Sequence, residues 1–260
     1  MSVNLLSFSN LKRYSDVIHH FSSTRVGGVS KGEFSSLNLG NYSDDSDVPT
    51  NRALLCRTLG IEPLQMIGAH QCHSANVLCV DKTIVSLPAI DRKTAVDGFD
   101  ALICNIAGIY ITVTTADCVP ILLFDTETKS VATIHSGWRG TLQNITATTI
   151  QAMHTHFGAE AKHLVAAIGP CIGGKVYEVG EELYTSFRDK GFATATLFTP
   201  KENGKYLFDI RQAVRLQLEA AGVTNIEVST HCTYSEPKLF FSARRQSIHS
   251  GRMLSGIMLH

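Results

Sequence analysis

Ten short apolar or alternating runs, spread along the whole chain, constrain the fold of this sequence more than any other feature. Each run is four to six residues long, which suits a β-strand and is short for a helix. The pattern predicts a strand-rich fold, with strands at residues 17–22, 65–69, 76–80, 101–105, 109–114, 120–124, 131–135, 164–168, 226–229 and 256–259.

Helical periodicity is limited to four segments, which we predict at residues 51–59, 140–157, 181–190 and 210–221. Gly158 and Gly222 provide stops for two of them, and Asp209 is a suitable N-cap for the last. Many strands with so few helices indicate an α+β fold, a layered α/β sandwich with mixed β-sheets, rather than a doubly wound fold.

Nothing in the sequence marks a domain boundary. The chain has no internal repeat, no low-complexity stretch and no long linker rich in proline, glycine and serine. Apolar residues make up 44% of the chain, which is enough to bury a sizeable core. We therefore predict that residues 1–260 form a single domain.

The balance of charge restricts the partners of the chain. Lysine plus arginine and aspartate plus glutamate number 23 each, so no net positive field would attract nucleic acid or an anionic membrane. No segment approaches the roughly 20 apolar residues that span a bilayer. Small molecules, neutral or locally anionic, are the predicted ligands.

The cysteines and the N-terminus indicate the compartment. Seven cysteines are scattered along the chain, mostly within apolar runs, and their odd number does not suit a disulfide framework. The N-terminal sequence MSVNLLSFSNLKRYSDV is interrupted by polar and charged residues, so it lacks the apolar core of a signal peptide. Reduced thiols and a cytoplasmic location are predicted.

Three residues with metal-binding side chains lie in separate motifs: His73 in HQCHS, Cys118 in TTADCVPILLFD and His135 in ATIHSGWRG. Each follows or ends a predicted strand, where side chains can meet at a cleft. Two imidazoles and one thiolate form a three-ligand zinc site with a fourth position open, the pattern of a catalytic zinc. The alternative is that a turn histidine, a buried cysteine and a hydrogen-bonded histidine have no common role.

Two neighbours compete with His73 as ligands. In an extended segment, His70 and Cys72 face one side while His73 faces the other, and we retain His73. If Cys72 added a fourth ligand, the metal would instead be structural and would merely tie strands together.

Other chemistries remain open at the same residues. Without a metal, Cys118 and His135 could form a nucleophilic Cys–His dyad of a hydrolase, with Asp117 orienting the imidazole. A conventional multicopper site is excluded, because the one HxH pair, His154 and His156, lies about 200° apart on a predicted helix. A single Cys/His site could still take copper in place of zinc.

Two further motifs resemble ligand-binding segments. Residues 169–175, GPCIGGK, have Walker A spacing but continue with valine in place of the serine or threonine that binds magnesium, so we interpret them as a turn. Arg25 lies in the glycine-containing loop STRVGG, where its guanidinium can hold a phosphate or carboxylate; the alternative is a surface ion pair.

Five phrases, FSSTRVGG, TTADCVPILLF, TIHSGWRG, GPCIGGKVYEVG and SGRM, resemble in the same order those of bacterial laccase-domain proteins. That family was once described as polyphenol oxidases and is now read as zinc-dependent purine nucleoside phosphorylases. The resemblance runs from about Phe21 to the C-terminus and implies that Cys118 and His135 are metal ligands, with His73 as the histidine two residues after Gln71. Departures from the pattern are the thiol of Cys72 and the segment FFSARRQSIHSGRM, which lacks the expected aromatic and acidic residues.

The resemblance implies a layered α/β sandwich and an enzyme acting on purine nucleosides with phosphate: adenosine, inosine or guanosine, and methylthioadenosine. It further implies adenosine deamination in the same pocket. The predicted ligands of Zn²⁺, or alternatively Cu²⁺, are His73, Cys118 and His135, which are also the predicted catalytic residues, and Arg25 is the predicted substrate contact. A copper-dependent polyphenol oxidase and a metal-free Cys–His hydrolase are the alternative functions.

Overall fold

The structure is a computed structural model that describes residues 2–40 and 44–260. Within these ranges the strands are β1 (Leu5–Leu6), β2 (Ile18–Ser23), β3 (Met66–Gly68), β4 (Val77–Cys79), β5 (Ala101–Cys104), β6 (Tyr110–Thr115), β7 (Val119–Asp125), β8 (Ser130–Ser136), β9 (Leu164–Ile168), β10 (Glu178–Val179), β11 (Phe198–Pro200), β12 (Tyr206–Phe208), β13 (Asn225–Val228) and β14 (Met253–Leu259).

The α-helices of the same ranges are α1 (Ser9–Lys12), α2 (Val48–Leu59), α3 (Lys82–Ser86), α4 (Ala89–Ala95), α5 (Trp138–Leu142), α6 (Ile145–Phe157), α7 (Glu181–Asp189), α8 (Thr194–Leu197) and α9 (Ile210–Ala220). Short 3₁₀ turns lie at Gly32–Phe34, Pro63–Gln65 and Ala161–His163. None of these helices combines the length and the apolar composition needed to cross a bilayer.

The strands form three sheets. The first has the order β1-β2-β14-β6-β3, the second β13-β9-β7-β8-β5-β4, and a small third sheet β10-β12-β11. The two large sheets are mixed, because β3 pairs parallel with β6, and β4 with β5 and β13 with β9 also pair parallel, while the remaining pairs within them are antiparallel. The predicted α+β sandwich with mixed sheets is thereby confirmed.

The core is arranged in layers around β7. Leu122 and Phe124 pack with Ile111 and Ile257 of the first sheet, whereas Ile121 and Leu123 pack against the helical side with residues of α6 and α9. Both faces of the second sheet are therefore covered. This explains why β7 is a continuous apolar run rather than an alternating one.

All ten predicted strands correspond to strands of the structure, with ends displaced by up to three residues. The prediction of one helix over residues 140–157 is wrong: α5 and α6 are separated at Asn144, which has a left-handed φ of 58°. An asparagine tolerates this conformation, and the resulting bend lets the two helices pack separately. The shortest elements, such as β10 and β11, were not predicted because their pairing with β12, not their own pattern, defines them.

A buried histidine of β2 makes the stability of the fold dependent on pH. The Nε2 atom of His20 accepts a hydrogen bond of 2.9 Å from the backbone N–H of Phe8, which requires an unprotonated nitrogen. Desolvation lowers the pKa of His20 to about 4. Because the unfolded chain then binds this proton more tightly than the folded protein, stability is lost as the pH falls from about 6.5 to about 4.

We expect this histidine to contribute about 3 kcal/mol to that loss. Measuring the free energy of unfolding in urea across pH 7 to 4, for the wild type and for His20→Gln, checks it. Glutamine preserves an acceptor near Phe8 and has no charge to gain. The variant should therefore show a shallower slope above pH 4, and equal slopes would assign the acid sensitivity to other groups.

Candidate metal centre

The three predicted ligands come from three separate parts of the chain, and the structure brings them together. His73 lies in the loop between β3 and β4, Cys118 immediately precedes β7, and His135 is the penultimate residue of β8. Antiparallel pairing of β7 with β8 places Pro120 opposite His135, so Cys118 lies beside the end of β8. One ligand atom from each of the three side chains lies within 4.8 Å of the others.

A glutamine side chain fixes the loop that carries His73. The amide of Gln71 donates a 2.8 Å hydrogen bond to the carbonyl of Thr114, and its oxygen accepts one of 2.8 Å from the N–H of Thr114. These bonds extend the pairing of β3 with β6 beyond the last backbone contact. The loop is therefore held against the end of β6, close to Cys118.

The geometry of the cluster is compact and open on one side. Cys118 Sγ lies 3.9 Å from His73 Nε2, and the rings of His73 and His135 meet edge to face with centroids 4.8 Å apart. His135 is only 3% exposed, whereas His73 is exposed and Cys118 is partly buried. The buried side is closed by protein, and a fourth position can be reached from the side of His73.

Asp100 positions His135 and the loop that carries His73. Its carboxylate accepts a 2.7 Å hydrogen bond from His135 Nδ1 and one of 3.0 Å from the backbone N–H of His73. It also accepts bonds from the N–H groups of Cys72 and Ser74 and from the Ser74 hydroxyl. Asp100 is 1% exposed. By binding Nδ1, it leaves Nε2 of His135 available for a ligand, which is the usual arrangement of a metal-binding histidine.

Electrostatics favour the ionised forms of Asp100 and Cys118. Burial lowers the pKa of His135, but Cys118 and Asp100 raise it to about 9, so a metal would bind at Nε2 of His135 in exchange for a proton. Desolvation raises the pKa of Asp100, but the hydrogen bonds from His135 and Ser74 outweigh it and hold the carboxyl ionised. Desolvation likewise raises the pKa of Cys118, yet the neighbouring His135 and His73 together lower it below that of a free thiol. A thiolate is the form of cysteine that binds a metal.

Asp117 shapes the turn that presents Cys118. Its φ is 96°, a left-handed value that is unusual for any residue other than glycine. The carboxylate accepts hydrogen bonds from the Thr233 hydroxyl at 2.6 Å, the Ser242 hydroxyl at 3.0 Å and the backbone N–H of Arg244 at 2.7 Å. These bonds offset the strain of the turn. They also correct the hypothesis that Asp117 orients the imidazole of His135, because Asp100 has that role.

The donor set and the space between its members fit a metal ion. Two imidazoles and a thiolate suit zinc or copper. A side chain at Gly137 would bring its Cβ to 2.9 Å from Cδ2 of His73 and to 3.0 Å from Sγ of Cys118. Since the φ of Gly137 is −78°, which any residue can adopt, its glycine is required by this contact and not by the backbone.

Gly137→Ala should therefore weaken metal binding by roughly 10–100-fold, because the added methyl group displaces two ligands. Metal analysis of the purified protein after dialysis against a chelator measures the effect. Gly60→Ala is the control: Gly60 has a φ of 68° and open space around it, so that variant tests backbone strain alone. Full metal retention in Gly137→Ala would show that the cluster accommodates the methyl group.

A cavity of about 350 Å³ opens onto the cluster. Besides the three candidate ligands, it is lined by charged and polar side chains, among them Arg252, His249, Asp44, His70 and Gln71. The guanidinium of Arg252 donates hydrogen bonds to the carbonyls of Ile248 and Ser250. Desolvation lowers the pKa of Arg252, and the negative charges of Cys118 and Asp117 offset only part of that lowering. Arg252 is thus the arginine that lines this cavity.

Arg25 lies elsewhere. Its guanidinium donates to the backbone carbonyls of Ser35 at 2.6 Å, Pro237 at 3.0 Å and Glu33 at 3.4 Å, and it lies 4.4 Å from the centroid of the Phe241 ring. It is not part of the cavity lining. The structure therefore does not bring Arg25 together with the three candidate ligands, and its substrate contact stays a prediction from the sequence.

The two rival ligands also occupy other positions. His70 Nδ1 lies 2.6 Å from Oδ1 of Asp97, and the imidazole lines the cavity. The Cys72 thiol points to the carbonyl of Gly98 at 3.4 Å. Among the residues that the structure describes, the cluster of candidate ligands contains neither of them.

Sequence reasoning missed two residues that build this site. Asp100 occurs in DGFDAL, which the sequence indicates only as a turn and the start of a strand. Arg252 occurs in SGRM, one of several arginines in short segments rich in glycine and serine. No sequence signal distinguished Arg252, because the strand predicted after it begins at Gly256, and only the structure shows that β14 begins directly after it at Met253.

Comparison with known proteins gives a family match over most of the chain. Residues 19–260 match the family described as multi-copper polyphenol oxidoreductase laccase. The matched region contains all three candidate ligands and both arginines discussed above. The site geometry and the family match therefore concern the same part of the molecule.

Individual relatives are also similar to this chain over most of its length. A purine nucleoside phosphorylase of Bacteroides thetaiotaomicron is 39% identical over 261 residues, which cover 98% of this chain and 96% of that protein. Adenosine deaminase RL5, from an unknown prokaryotic organism, is 37% identical over 92% of this chain and 93% of its own length. The crystal structure of the hypothetical protein YfiH of Bacillus licheniformis has a TM-score of 0.90 and 27% sequence identity, covering 100% of this chain and 97% of that one.

Proposed function

The chain belongs to the multi-copper polyphenol oxidoreductase laccase family, and from that premise we propose that it is a metal-dependent purine nucleoside phosphorylase that uses zinc. The relatives named as purine nucleoside phosphorylases support the reaction class. We propose His73, Cys118 and His135 as the metal ligands and the centre of the active site. All seven cysteines are free thiols, which supports the proposed cytoplasmic location.

The observation that carries the proposal is the convergence of three donors at the floor of a cavity large enough for a nucleoside. The donor atoms lie within 4.8 Å of one another, and the cavity of about 350 Å³ is within the roughly 300–1,000 Å³ range of small-molecule sites. A three-ligand set with one accessible side is typical of catalytic zinc. A structural site would surround the ion with four protein ligands.

The residues of the chain have separate tasks in phosphorolysis. A phosphate oxygen attacks the anomeric carbon of the ribose while the bond to the purine breaks, so the enzyme must position an anion beside a sugar. When bound, the metal supplies Lewis-acid chemistry and screens negative charge. Asp100 holds the ring of His135 in place, and Gln71 holds the loop of His73.

Arg252 is the proposed phosphate contact in place of Arg25. It lines the cavity, whereas the guanidinium of Arg25 binds three backbone carbonyls outside it. A charge-assisted hydrogen bond to an anion contributes about 1.5–3 kcal/mol, which corresponds to roughly 10–100-fold in affinity.

Arg252→Gln should therefore raise KM for phosphate by at least about 10-fold, with a smaller change in KM for the nucleoside. Arg25→Gln should lower thermal stability and leave KM for phosphate close to the wild-type value. Initial rates at varied phosphate, together with melting curves of both variants, measure these effects. The opposite pattern would restore Arg25 as the anion contact.

Adenosine deamination is the second candidate activity, because a relative that is 37% identical is named an adenosine deaminase. This reaction needs an activated water and a group that moves protons, but no phosphate. Both reactions would use the same metal ligands and the same cavity. They differ in the product, so one assay separates them.

The two remaining alternatives receive less support. The described residues hold a single cluster of three candidate ligands, whereas multicopper oxidation uses several copper ions, each with its own ligands. A metal-free hydrolase would use Cys118 as the nucleophile and His135 as the base, and it would leave without a role His73, whose Nε2 lies 3.9 Å from the same sulfur. Three donors around one space favour a metal.

The deciding experiment is chromatographic product analysis of protein of known metal content, incubated with adenosine or inosine, with and without phosphate. Release of the free base only with phosphate supports phosphorolysis. Conversion of adenosine to inosine without phosphate supports deamination. If protein containing one equivalent of zinc forms neither product, the purine assignment is wrong, and phenol oxidation with copper-loaded protein is then the activity to measure.

A further inference from the structure

A second cavity, of about 500 Å³, lies away from the metal centre and contains a cysteine. Its lining includes Cys232, Ser235, Arg211 and Lys175, together with part of the GPCIGGK turn. The thiol of Cys232 is partly buried and lines this space, so a small molecule can reach it. The proposed nucleoside reaction uses none of these residues.

A second cysteine is paired directly with Cys232 through the backbone. Cys171 and Cys232 form an isolated parallel β-bridge, and the N–H of the next residue, Thr233, donates a 3.0 Å hydrogen bond to the carbonyl of Cys171. Paired residues of neighbouring strands lie about 5 Å apart, within the roughly 4.4–6.8 Å between Cα atoms that a disulfide spans. Side chains of directly paired residues project to the same side, so the two thiols can approach each other.

The environment of the Cys232 sulfur favours its thiolate. The backbone N–H of Gly173 donates to Sγ at 3.2 Å. Burial raises the pKa of this thiol, but the hydrogen bonds from Ser235, Gly173 and Tyr234 outweigh it and lower the pKa. Donors directed at sulfur are the feature that distinguishes reactive from inert cysteines.

The environment of Cys171 differs from that of Cys232, because its thiol is fully buried. This burial raises the pKa of the Cys171 thiol to about 11. The guanidinium of Arg211 donates from Nε to Cys171 Sγ at 3.3 Å, so a cation lies at this sulfur. Cys171 is thus protected from direct attack by an oxidant, and Arg211 can stabilise its thiolate when it reacts with a neighbouring sulfur.

We propose that Cys232 and Cys171 form a site of reversible oxidation by hydroperoxides, with Cys232 as the reacting thiol and Cys171 as the resolving one. The Cys232 thiolate attacks the peroxide, the O–O bond breaks, and Cys232 becomes a sulfenic acid while hydroxide leaves from hydrogen peroxide, or the alkoxide from an organic hydroperoxide. The sulfur of Cys171 then attacks the sulfenic sulfur, an S–S bond forms, and the S–O bond breaks with release of water. The peroxide takes up the two electrons, and a dithiol reductant restores both thiols.

The position of the pair connects it to the metal centre. The neighbours of the two cysteines, Ile172 and Thr233, both bind Asp117: the N–H of Ile172 donates to its carbonyl at 2.9 Å, and the Thr233 hydroxyl to its carboxylate at 2.6 Å. Asp117 precedes Cys118 in the strained turn. The disulfide would form next to the contacts that hold this turn.

The test is peptide mapping of the purified full-length protein after graded exposure to hydrogen peroxide. Free thiols are blocked with N-ethylmaleimide, the chain is digested without reduction, and the peptides are identified by mass spectrometry. We expect a linked peptide containing Cys171 and Cys232, formed intramolecularly and removed by dithiothreitol. Cys232 should react at least about 10-fold faster than Cys104, a buried thiol whose pKa burial raises to about 11.

Two variants make the order of events testable. Cys171→Ser should leave Cys232 as a sulfenic acid that dimedone traps, whereas Cys232→Ser should leave Cys171 unmodified at the same peroxide dose. A wild-type protein in which Cys232 is oxidised no faster than Cys104, or passes to the sulfinic acid without linking to Cys171, would overturn the proposal. The mapping does not involve nucleoside turnover, so its outcome is independent of the proposed function.

Discussion

Cys118→Ala is expected to remove the metal and the enzymatic turnover together. Cys118 supplies the only thiolate of the cluster among the described residues, and its Sγ lies 3.9 Å from Nε2 of His73. Two neutral imidazoles without it bind zinc much more weakly, so we expect metal affinity to fall by more than about 100-fold and turnover to follow. Elemental analysis of the purified variant and product formation from nucleosides with phosphate measure the two effects.

The fold should survive this substitution. Cys118 lies between β6 and β7 and is not part of a strand pair, so the far-UV circular dichroism spectrum should be unchanged. Cys104→Ala is the matched control, because it removes a fully buried thiol that is distant from the metal site in the fold and should cost stability without costing metal. If Cys118→Ala retained one equivalent of metal and normal turnover, the assignment of Cys118 as a ligand would be wrong.

Asp100→Asn is expected to have the second largest effect. The carboxylate accepts from His135 Nδ1 and His73 N–H on one oxygen, and from Ser74 and Cys72 on the other. An amide has one oxygen to accept with, so its NH₂ group must face at least one donor and leave buried bonds unmade. We expect a loss of about 2–4 kcal/mol of stability and roughly 10–100-fold in metal affinity.

The two losses can be separated with a matched buried aspartate. Asp125 is fully buried at the end of β7 and accepts hydrogen bonds from the N–H groups of Glu127 and Thr128, remote from the metal centre. Asp125→Asn keeps the oxygen that accepts both bonds and replaces Oδ2, which has no hydrogen-bond partner among the described residues, so any change in the free energy of unfolding in urea should come without a change in metal affinity. If Asp100→Asn and Asp125→Asn proved equal in chelator competition, Asp100 would be a structural residue without a role in positioning the histidines.

Asp100 illustrates why sequence reasoning identified the three candidate ligands but not the residue that positions them. His73, Cys118 and His135 have side chains that bind metals in any context, and each ends or follows an apolar run. Asp100 has no comparable feature in the sequence. It becomes important because β5 pairs with β8, with Ala101 opposite Ile134, and this pairing brings the residue before β5 to His135.

Strand pairing also decides which of the two arginines, Arg25 or Arg252, lies at the cavity. Arg25 and Arg252 both lie in short segments containing glycine, and the sequence offers no basis for choosing the one that faces the cavity. Pairing of β14 with β6 places Met253 opposite Thr115, and so brings Arg252 to the turn that precedes Cys118. Arg25 follows β2 at the far side of β14, where backbone carbonyls surround it.

The sequence by itself determined where the principal strands and most of the long helices form, that the fold is a layered α+β sandwich, and which residues have metal-binding side chains. These properties follow from local composition, because burial on two faces requires continuous apolar runs and ligand chemistry belongs to individual side chains. The tertiary structure decided which residues meet: the position of Asp100, the opening on the side of His73, and the choice between Arg25 and Arg252. Such contacts depend on strand order and register between segments distant in the chain, and local sequence patterns do not encode that pairing.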